Sequence, residues 1–537
     1  MAENTKEQEY KRTILFHSDE FEIVSIEWSK GSGSEIHNHG LSQCMVQIQE
    51  GLFENTLDLG FKTEVRIFET GQVVTTPKGA RHKMRCLSPQ GKTLHVYTPK
   101  IVEQSEAGKF KSQLTENFKN ELKLSEPLAL EGLREVLSQI QSKSVSTNSA
   151  FFMNQLFSGV LPQMLLAEEL IVQTRTTLAT SEASPIFSSI EEEVISSLGA
   201  LIGWSENERF GVSVPGGSSA NFMAVHCARQ RLLPQVKNEG LNSAKLRVYV
   251  SCEAHYSMKK ACLVLGLGLN NLVQIASDDA GRMKLDHLGN AINTDLKNGF
   301  TPLMVCATAG TTVYGAFDPI DEISKLCEMR NIWLHVDAAW GGPALFSKSL
   351  NPLVKGIEKA DSVTFDAHKL FGANLTCSFF LTSHEQILFE ANDVSGGDYI
   401  FHEENFDRGR LSWQCGRRAE ATSFWTIWKS VGTAGLGEFV ERLIQIRNET
   451  LDFIATQPRL QLVGKPEFLN ICVRVLDPSG KDSNWSKKIR ARLIESDQAM
   501  VNYAANSEGP FLRLILAHPY LQTQHVQNIL TAALNFD

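Results

Sequence analysis

The chain lacks any apolar run near the roughly 18 residues that a membrane-crossing helix needs, so no membrane span is expected. It also lacks a surplus of basic residues. Its 52 Lys and Arg stand against 61 Asp and Glu, and the net charge of −9 is spread along the chain without blocks. That excludes the basic footprint of a nucleic-acid-binding domain. No two of its ten cysteines form a CxxC pair and their spacings are irregular, which fits reduced thiols in a cytoplasm rather than a disulfide framework. There is no internal repeat, and the first residues, MAENTKEQEYKR, are polar and charged rather than an apolar signal segment. What the chain does have is length. At 537 residues it is expected to hold two to four soluble domains.

The texture changes along it. FEIVSIEW, QCMVQIQEG, TEVRIFE, QVVTTP and TLHVYTP alternate apolar and polar residues between Gly, Asp or Pro. Five or more short strands in so short a stretch predict a small antiparallel barrel or double-sheet roll over residues 1–103. Residues 104–148 are polar and partly helical in period (LEGLREVLSQIQ), and read as a linker with helices. From 149 to 435, helical segments alternate with the buried-type strands LRVYVSC, LMVCATAG, IWLHVDAA and SVTFDAH, the pattern of an α/β layer with a mainly parallel sheet. Residues 436–537 mix the helix FVERLIQIRNETLDFIA with the strands FLNICVRVL and FLRLILA, a small α+β subdomain.

Four features of the α/β part converge on one chemistry. Asp337 and Lys369 stand at strand ends, where open α/β sheets bind ligands. PGGSSAN is a glycine turn opening a helix, whose free N–H groups suit a phosphate. His255 follows a further strand. Singly, such features are a solvated lysine, a helix cap and plain turn punctuation. Together they meet the demands of pyridoxal phosphate: a lysine to hold it covalently, an aspartate for the ring nitrogen, a phosphate cradle and a flat imidazole over the ring.

FFMNQLFSG, PGGSSANFMAVHCAR, ATAGTTVYGAFDPI, LHVDAAWGG, DAHKL, QCGRR and FLRLILA follow, in order, the motifs of the pyridoxal-phosphate group II decarboxylases. The region from 149 to 537 resembles in particular the cysteine sulfinate and glutamate decarboxylases. The resemblance implies a fold-type-I transferase-like architecture and a homodimer. It implies that Lys369 carries the cofactor, Asp337 pairs with its ring nitrogen and His255 stacks on it. Ser218 and Ser219 lie at the phosphate, Thr308 and Ala339 line the ring, His368 joins the cofactor-binding set, and Arg513 grips the substrate α-carboxylate. Phe157, in NQLFSG where glutamate decarboxylases usually read NQLSTG, narrows the pocket toward a shorter acidic side chain, with core packing as its plainer role. Several relatives carry a tyrosine as proton donor where this chain has Phe406 in NFDRGR, which leaves the donor open between His255 and water.

The first hundred residues carry a different signal. His37 and His39, one residue apart in EIHNHG, point to one face of a strand, and His82 lies in GARHKM. Thr93, His95 and Tyr97 share a face of the last strand. Three imidazoles on one wall can cap a divalent metal and leave positions open; a polar face or a zinc site is the alternative. YKRTILFHSDEFEIVSIEW, GSGSEIHNHG, QCMVQIQEG, RHKM and TLHVYTP resemble, in order, the cysteine dioxygenases, members of the cupin barrels. That resemblance implies Fe(2+) on His37, His39 and His82, a Thr93–His95–Tyr97 relay, a thioether-capable pair in Cys44 and Tyr97, and Arg12 on the carboxylate of L-cysteine. The fusion then implies a bifunctional enzyme. L-cysteine and O2 give cysteine sulfinate at the iron, and the pyridoxal phosphate site decarboxylates it to hypotaurine. Aspartate or glutamate decarboxylation beside a non-catalytic, thiol- or metal-sensing cupin stands as the alternative.

Overall fold

The computed structural model describes residues 10–18, 21–40, 42–98, 109–111, 113–124, 127–394, 397, 399–402, 407–480 and 482–536. Phe406 and the expected 103/104 boundary lie outside them. The N-terminal strands are β1 (Tyr10–His17), β2 (Glu22–Ser29), β3 (His37–Asn38), β4 (Gln43–Glu50), β5 (Leu52–Asp58), β6 (Thr63–Glu69), β7 (Val73–Thr76), β8 (Arg81–Cys86) and β9 (Gln90–Thr98). They form two antiparallel sheets, ordered β1-β2-β9-β4-β7 and β3-β8-β5-β6. No ring of paired strands closes the two into a barrel among the described residues. Strict alternation builds the core between them: Val24, Ile26 and Trp28 from β2, Val46 and Ile48 from β4, and Phe53, Met84 and Cys86 from the facing sheet are buried together.

Two helices, Glu116–Glu121 and Leu130–Lys143, follow. The α/β part is a seven-stranded sheet in the order β11-β17-β16-β15-β14-β12-β13. Here β10 is Phe152–Met153, β11 Phe210–Pro215, β12 Leu246–Ser251, β13 Leu272–Ile275, β14 Thr301–Thr308, β15 Trp333–Asp337, β16 Ser362–Asp366 and β17 Cys377–Thr382. Neighbours from β13 to β16 run parallel, and β17 is antiparallel to both β16 and β11. The mainly parallel sheet expected from the continuous apolar strands is present, because helices cover both faces and leave no polar side to alternate with. A last sheet, β10-β20-β21-β19-β18, is built from β18 (Leu460–Leu462), β19 (Asn470–Val475), β20 (Met500–Asn506) and β21 (Gly509–Ile515). The helix Ala421–Ala455 leads into it, with a break at Gly432 (φ 70°). No helix among the described residues is long and apolar enough to cross a membrane.

One buried ion cluster ties the outer layer to the sheet. Glu191, on the helix Pro185–Ile202, has no exposed surface. It accepts from Arg417 Nη1 at 2.7 Å and Nη2 at 3.2 Å, from the Ser213 N–H at 2.8 Å, and from Arg408. Burial pushes its pKa up, but the two guanidiniums outweigh burial and hold it below the ordinary carboxylate range. Removing one partner of such a cluster leaves unpaired charge in the interior. Glu191→Ala is expected to cost about 3–5 kcal/mol, read as a lower urea midpoint by far-UV circular dichroism. A midpoint equal to that of the unaltered protein would show that the cluster contributes nothing.

Candidate functional site

The parallel strands deliver polar residues to one edge of the seven-stranded sheet. Asp337 ends β15 directly opposite Thr308 at the end of β14, and Asp366 ends β16 just beyond Thr364, the register partner of Asp337. Asp337 is 5% exposed, and a buried carboxylate needs donors. Asn221, on the helix Gly217–Leu232, supplies one: its Nδ2 donates to Asp337 Oδ2 at 2.7 Å. The Asn221 carbonyl is itself fixed by Thr364 Oγ1 at 2.8 Å and His335 Nε2 at 3.0 Å. His335 Nδ1 lies 2.9 Å from Ser362 Oγ, which also accepts from Trp333 Nε1 at 2.8 Å. Burial pulls His335 down to about 4, so its imidazole is neutral in this network. None of Asn221, His335, Thr364 and Ser362 was singled out in the sequence, although an asparagine on the apolar side of ANFMAVHCARQRL was a visible signal.

Lys369 sits in the turn after β16, with its Nζ 3.0 Å from Asp366 Oδ2. Burial raises the Asp366 pKa, but Lys369 and His368 outweigh burial and bring it below the usual range. His368 is tethered through Nδ1 to the Cys377 carbonyl at 2.9 Å. The start of the helix Gly217–Leu232 closes over this turn, since a Cβ on Gly217 would lie 2.6 Å from Asp366 Oδ2. Only glycine lets the helix terminus come so near. Ser218 is exposed there, and Ser219 Oγ donates to the Pro215 carbonyl at 3.1 Å. His255 lies in the loop after β12, with Nδ1 accepting from the Ser257 N–H at 3.3 Å. Burial moves it below the ordinary imidazole range; the Asp337 charge opposes this and the Lys369 charge adds to it.

Arg513, on β21, is 7% exposed. Its Nη1 donates to the Thr312 carbonyl at 3.0 Å and its Nη2 to the Asn154 carbonyl at 2.7 Å. Phe157 is half-buried, with its ring 6.0 Å from that of Phe152. Ala339 is buried, and its N–H donates to Asp337 Oδ1 at 3.2 Å. Among the described residues, several buried polar atoms here have no partner: Thr308 Oγ1, Asp366 Oδ1, Asn154 Oδ1 and Arg513 Nε. Buried polar groups are seldom left so, and a polar ring with a phosphate would answer them; the residues fit pyridoxal phosphate.

The second site lies between the N-terminal sheets. The ligand nitrogens of His37, His39 and His82 all fall within 4.8 Å of one another. His37 and His82 face each other in register across β3 and β8, while β3 ends at Asn38, so His39 projects from the loop beyond it. Asn55 Oδ1 accepts from His82 Nδ1 at 3.1 Å, leaving His82 Nε2 its lone pair 2.8 Å from His39 Nε2. Three imidazoles converge here, two of them buried and one with its lone pair aimed into the cluster, so the donor set fits a divalent metal. Beside it, Trp28 Nε1 donates to Thr93 Oγ1 at 2.7 Å, Thr93 Oγ1 meets His95 Nε2 at 2.9 Å, and His95 Nδ1 meets Tyr97 Oη at 3.1 Å. Cys44 on β4 is directly opposite Tyr97 on β9. Burial pushes its thiol up to about 12. Arg12, on β1, donates to Glu22 Oε2 at 2.9 Å with its side chain 47% exposed. Asn55 and Trp28 are the residues here that patterning did not single out.

Comparison with known proteins separates the two halves. The pyridoxal-dependent decarboxylase conserved domain matches residues 116–476, beginning beyond the N-terminal strands. The human acidic amino acid decarboxylase GADL1 is 35% identical over 416 residues, 74% of this chain and 80% of its own. Human cysteine sulfinic acid decarboxylase is 35% identical over 396 residues, 70% of this chain and 80% of its own. The crystal structure of mouse CSAD in apo form superposes with a TM-score of 0.76 at 32% identity, covering 80% of this chain and 94% of that one.

The buried histidines predict a pH dependence. Burial first, and neighbouring imidazoles second, hold His39 at about 3 and His82 at about 2. Both values lie below the roughly 6.5 of the unfolded chain, so below that pH the unfolded state binds more protons. Their contribution is complete above about pH 6.5 and is lost as pH falls toward the folded values. In metal-free protein, hydrogen exchange at β3 and β8 should accelerate between about pH 6.5 and 4 once corrected for intrinsic rates. Corrected rates that stay constant over that range would contradict the linkage.

Proposed function

Because the chain belongs to the pyridoxal-dependent decarboxylases, we propose that it removes the α-carboxylate of cysteine sulfinate and that its N-terminal sheets make that substrate from L-cysteine. The observation that carries the proposal is the pairing, in one chain, of Lys369 held by Asp366 and a buried Asp337 held by Asn221 with three converging imidazoles beside the Cys44–Tyr97 pair. Bound pyridoxal phosphate supplies the electron sink for the carbon that loses CO2. Lys369 holds it, Asp337 keeps a proton at its ring nitrogen, and Asn221 keeps Asp337 aimed. His255 offers a neutral face to the ring, the Gly217 turn receives the phosphate, and Arg513 orients the acid by its carboxylate. Phe157 shortens the pocket.

At the histidine site, iron would supply the redox centre for adding O2 to a thiolate, which would turn the thiol into a sulfinate. The chain holds that metal with His37, His39 and His82. The Trp28–Thr93–His95–Tyr97 row orients the Tyr97 hydroxyl, and Arg12 receives the cysteine carboxylate. On this reading the chain divides at about 103, 148 and 435, with a cupin-type domain first, and works as a cytoplasmic homodimer. A second reading draws support from the Arg12–Glu22 ion pair, which already occupies the guanidinium. In it the sheets sense a thiol or metal, and the decarboxylase acts on aspartate or glutamate.

Three measurements test this. Purified protein loaded with Fe(2+) and pyridoxal phosphate, given L-cysteine in air, should yield hypotaurine by mass spectrometry. Lys369→Ala should accumulate cysteine sulfinate, and Arg12→Gln should raise the KM for cysteine at unchanged iron content. Untouched cysteine with intact decarboxylation of added sulfinate would favour the sensing reading. Phe157→Ser should move the ratio of kcat/KM between cysteine sulfinate and glutamate toward glutamate by about 10–200-fold, the range that one methylene of pocket length commands. An unmoved ratio would reduce Phe157 to core packing.

A further inference from the structure

The two halves are joined by a packed seam. The turn between β5 and β6 carries Gly60 and Phe61, fixed by the Leu59 N–H on the Lys62 carbonyl at 2.9 Å and the Gly60 N–H on Asp58 Oδ1 at 2.9 Å. Leu161, fully buried, is wedged between this turn and the lysine turn of the other half. A Cβ on Gly60 would come within 2.7 Å of Leu161 Cδ2, and one on Gly372 within 3.0 Å of Leu161 Cδ1. Gly372 closes the Lys369 turn, with its N–H on the Lys369 carbonyl at 3.4 Å. Next to this, the Phe61 ring meets Phe439 edge-on at 4.3 Å.

Pro519 and Tyr520 form a second bearing. Pro519 would lie 3.3 Å from a Gly60 Cβ and 2.4 Å from a Gly159 Cβ, so it touches the turn of the sheets and the segment that bears Phe157. Tyr520 Oη donates to the Gly79 carbonyl at 3.3 Å, and the Arg81 guanidinium lies over its ring at 5.5 Å. Gly79 in turn donates to the Gly40 carbonyl at 3.0 Å, next to His39. Segment 154–163 therefore runs from the carbonyl that holds Arg513, past Phe157, to the seam at Leu161 and Gln163.

We propose that the β5–β6 turn is a working part of the decarboxylase site: by clamping Leu161 against Gly372 and Pro519 against Gly159, it sets the position of Lys369 and of the pocket wall at 154–157. Leu161 is thus a positioning residue, acting on the lysine through the turn it packs against. The wall of the histidine site at Gly79 and Arg81 bears on the same Pro519–Tyr520 corner, so the seam is shared by both sites. The proposal rests on the reading of Lys369 as the cofactor lysine and does not depend on the substrate.

The test uses full-length protein loaded with pyridoxal phosphate and reads the pH midpoint of the bound cofactor's visible absorbance together with kcat and KM. Phe61→Ala loosens the seam from the sheet side, and Leu161→Met reshapes it at nearly constant volume. A displaced midpoint and a fall of about tenfold in kcat are expected for Phe61→Ala. Leu161→Met should move the midpoint in the same direction, and it carries the test if Phe61→Ala does not fold. Folded variants with the midpoint and kinetics of the unaltered protein would overturn the proposal. Lys369→Ala separates the two ideas. If it keeps a pH-dependent band, the lysine reading fails; if it loses the band while the seam variants match the unaltered protein, the clamp alone fails.

Discussion

Asp337 lies at the end of a strand that is buried along its whole length, and an ionised carboxylate in that setting is tolerable only with donors held in place. Asn221 is that donor, and its own carbonyl is fixed by Thr364 and His335. The requirement reaches far. It draws the helix Gly217–Leu232 onto the sheet, puts a histidine, a threonine and a serine inside strands that otherwise read as apolar, and brings the helix terminus within reach of the Asp366–Lys369 turn. Satisfying one buried charge therefore assembles the lysine, the aspartate and the anion-binding terminus at one edge.

The N-terminal sheets solve the same problem with neutral groups. His39, His82 and His95 are buried and held uncharged by burial, and each has a fixed polar neighbour. Asn55 decides which ring nitrogen of His82 keeps its lone pair, and Thr93 and Tyr97 hold the two ring nitrogens of His95. The two halves meet through a seam of small and apolar residues, where glycines let a leucine and a proline approach the backbone from both sides. Packing of that density transmits displacement, because a core filled to crystal density has little room to absorb it.

Much of the lysine site was legible because parallel strands are short apolar runs whose ends are marked by the first polar residue. Asp337, Lys369 and His255 could each be placed at a sheet edge from VDAA, DAHKL and CEAHYS alone. Asn221 and His335 were not legible in that way, since a polar residue inside an apolar helix or strand signals burial without naming its partner. In the N-terminal half, alternation placed Thr93, His95 and Tyr97 on one face, and the structure adds Trp28 from the neighbouring strand. The second sheet is less legible: β3 has two residues, and β5 buries the polar neighbours Asn55 and Thr56 in succession, which breaks the alternation that β8 keeps. Glu191, Arg408 and Arg417 look like ordinary surface charges in the sequence, yet they form a buried cluster drawn from positions more than 200 residues apart.

The sequence by itself determined the periods: strands of alternating character up to Thr98, continuous apolar strands after Arg209, and the chemical types at their ends. These are local properties, set by which side chains can cover a pleated face and which must meet water. Tertiary structure decided the rest, because it depends on partners distant along the chain. Among the described residues the two N-terminal sheets face each other without closing a ring, Asp337 is tied to Asn221 across 116 residues, and His39 meets His82 across 43. Leu161 is seated between a turn of one half and the lysine turn of the other, and no local pattern carries that information. Such contacts follow from how finished elements pack, and packing is fixed by shape and by the need to pair every buried polar group, neither of which is written in residue order.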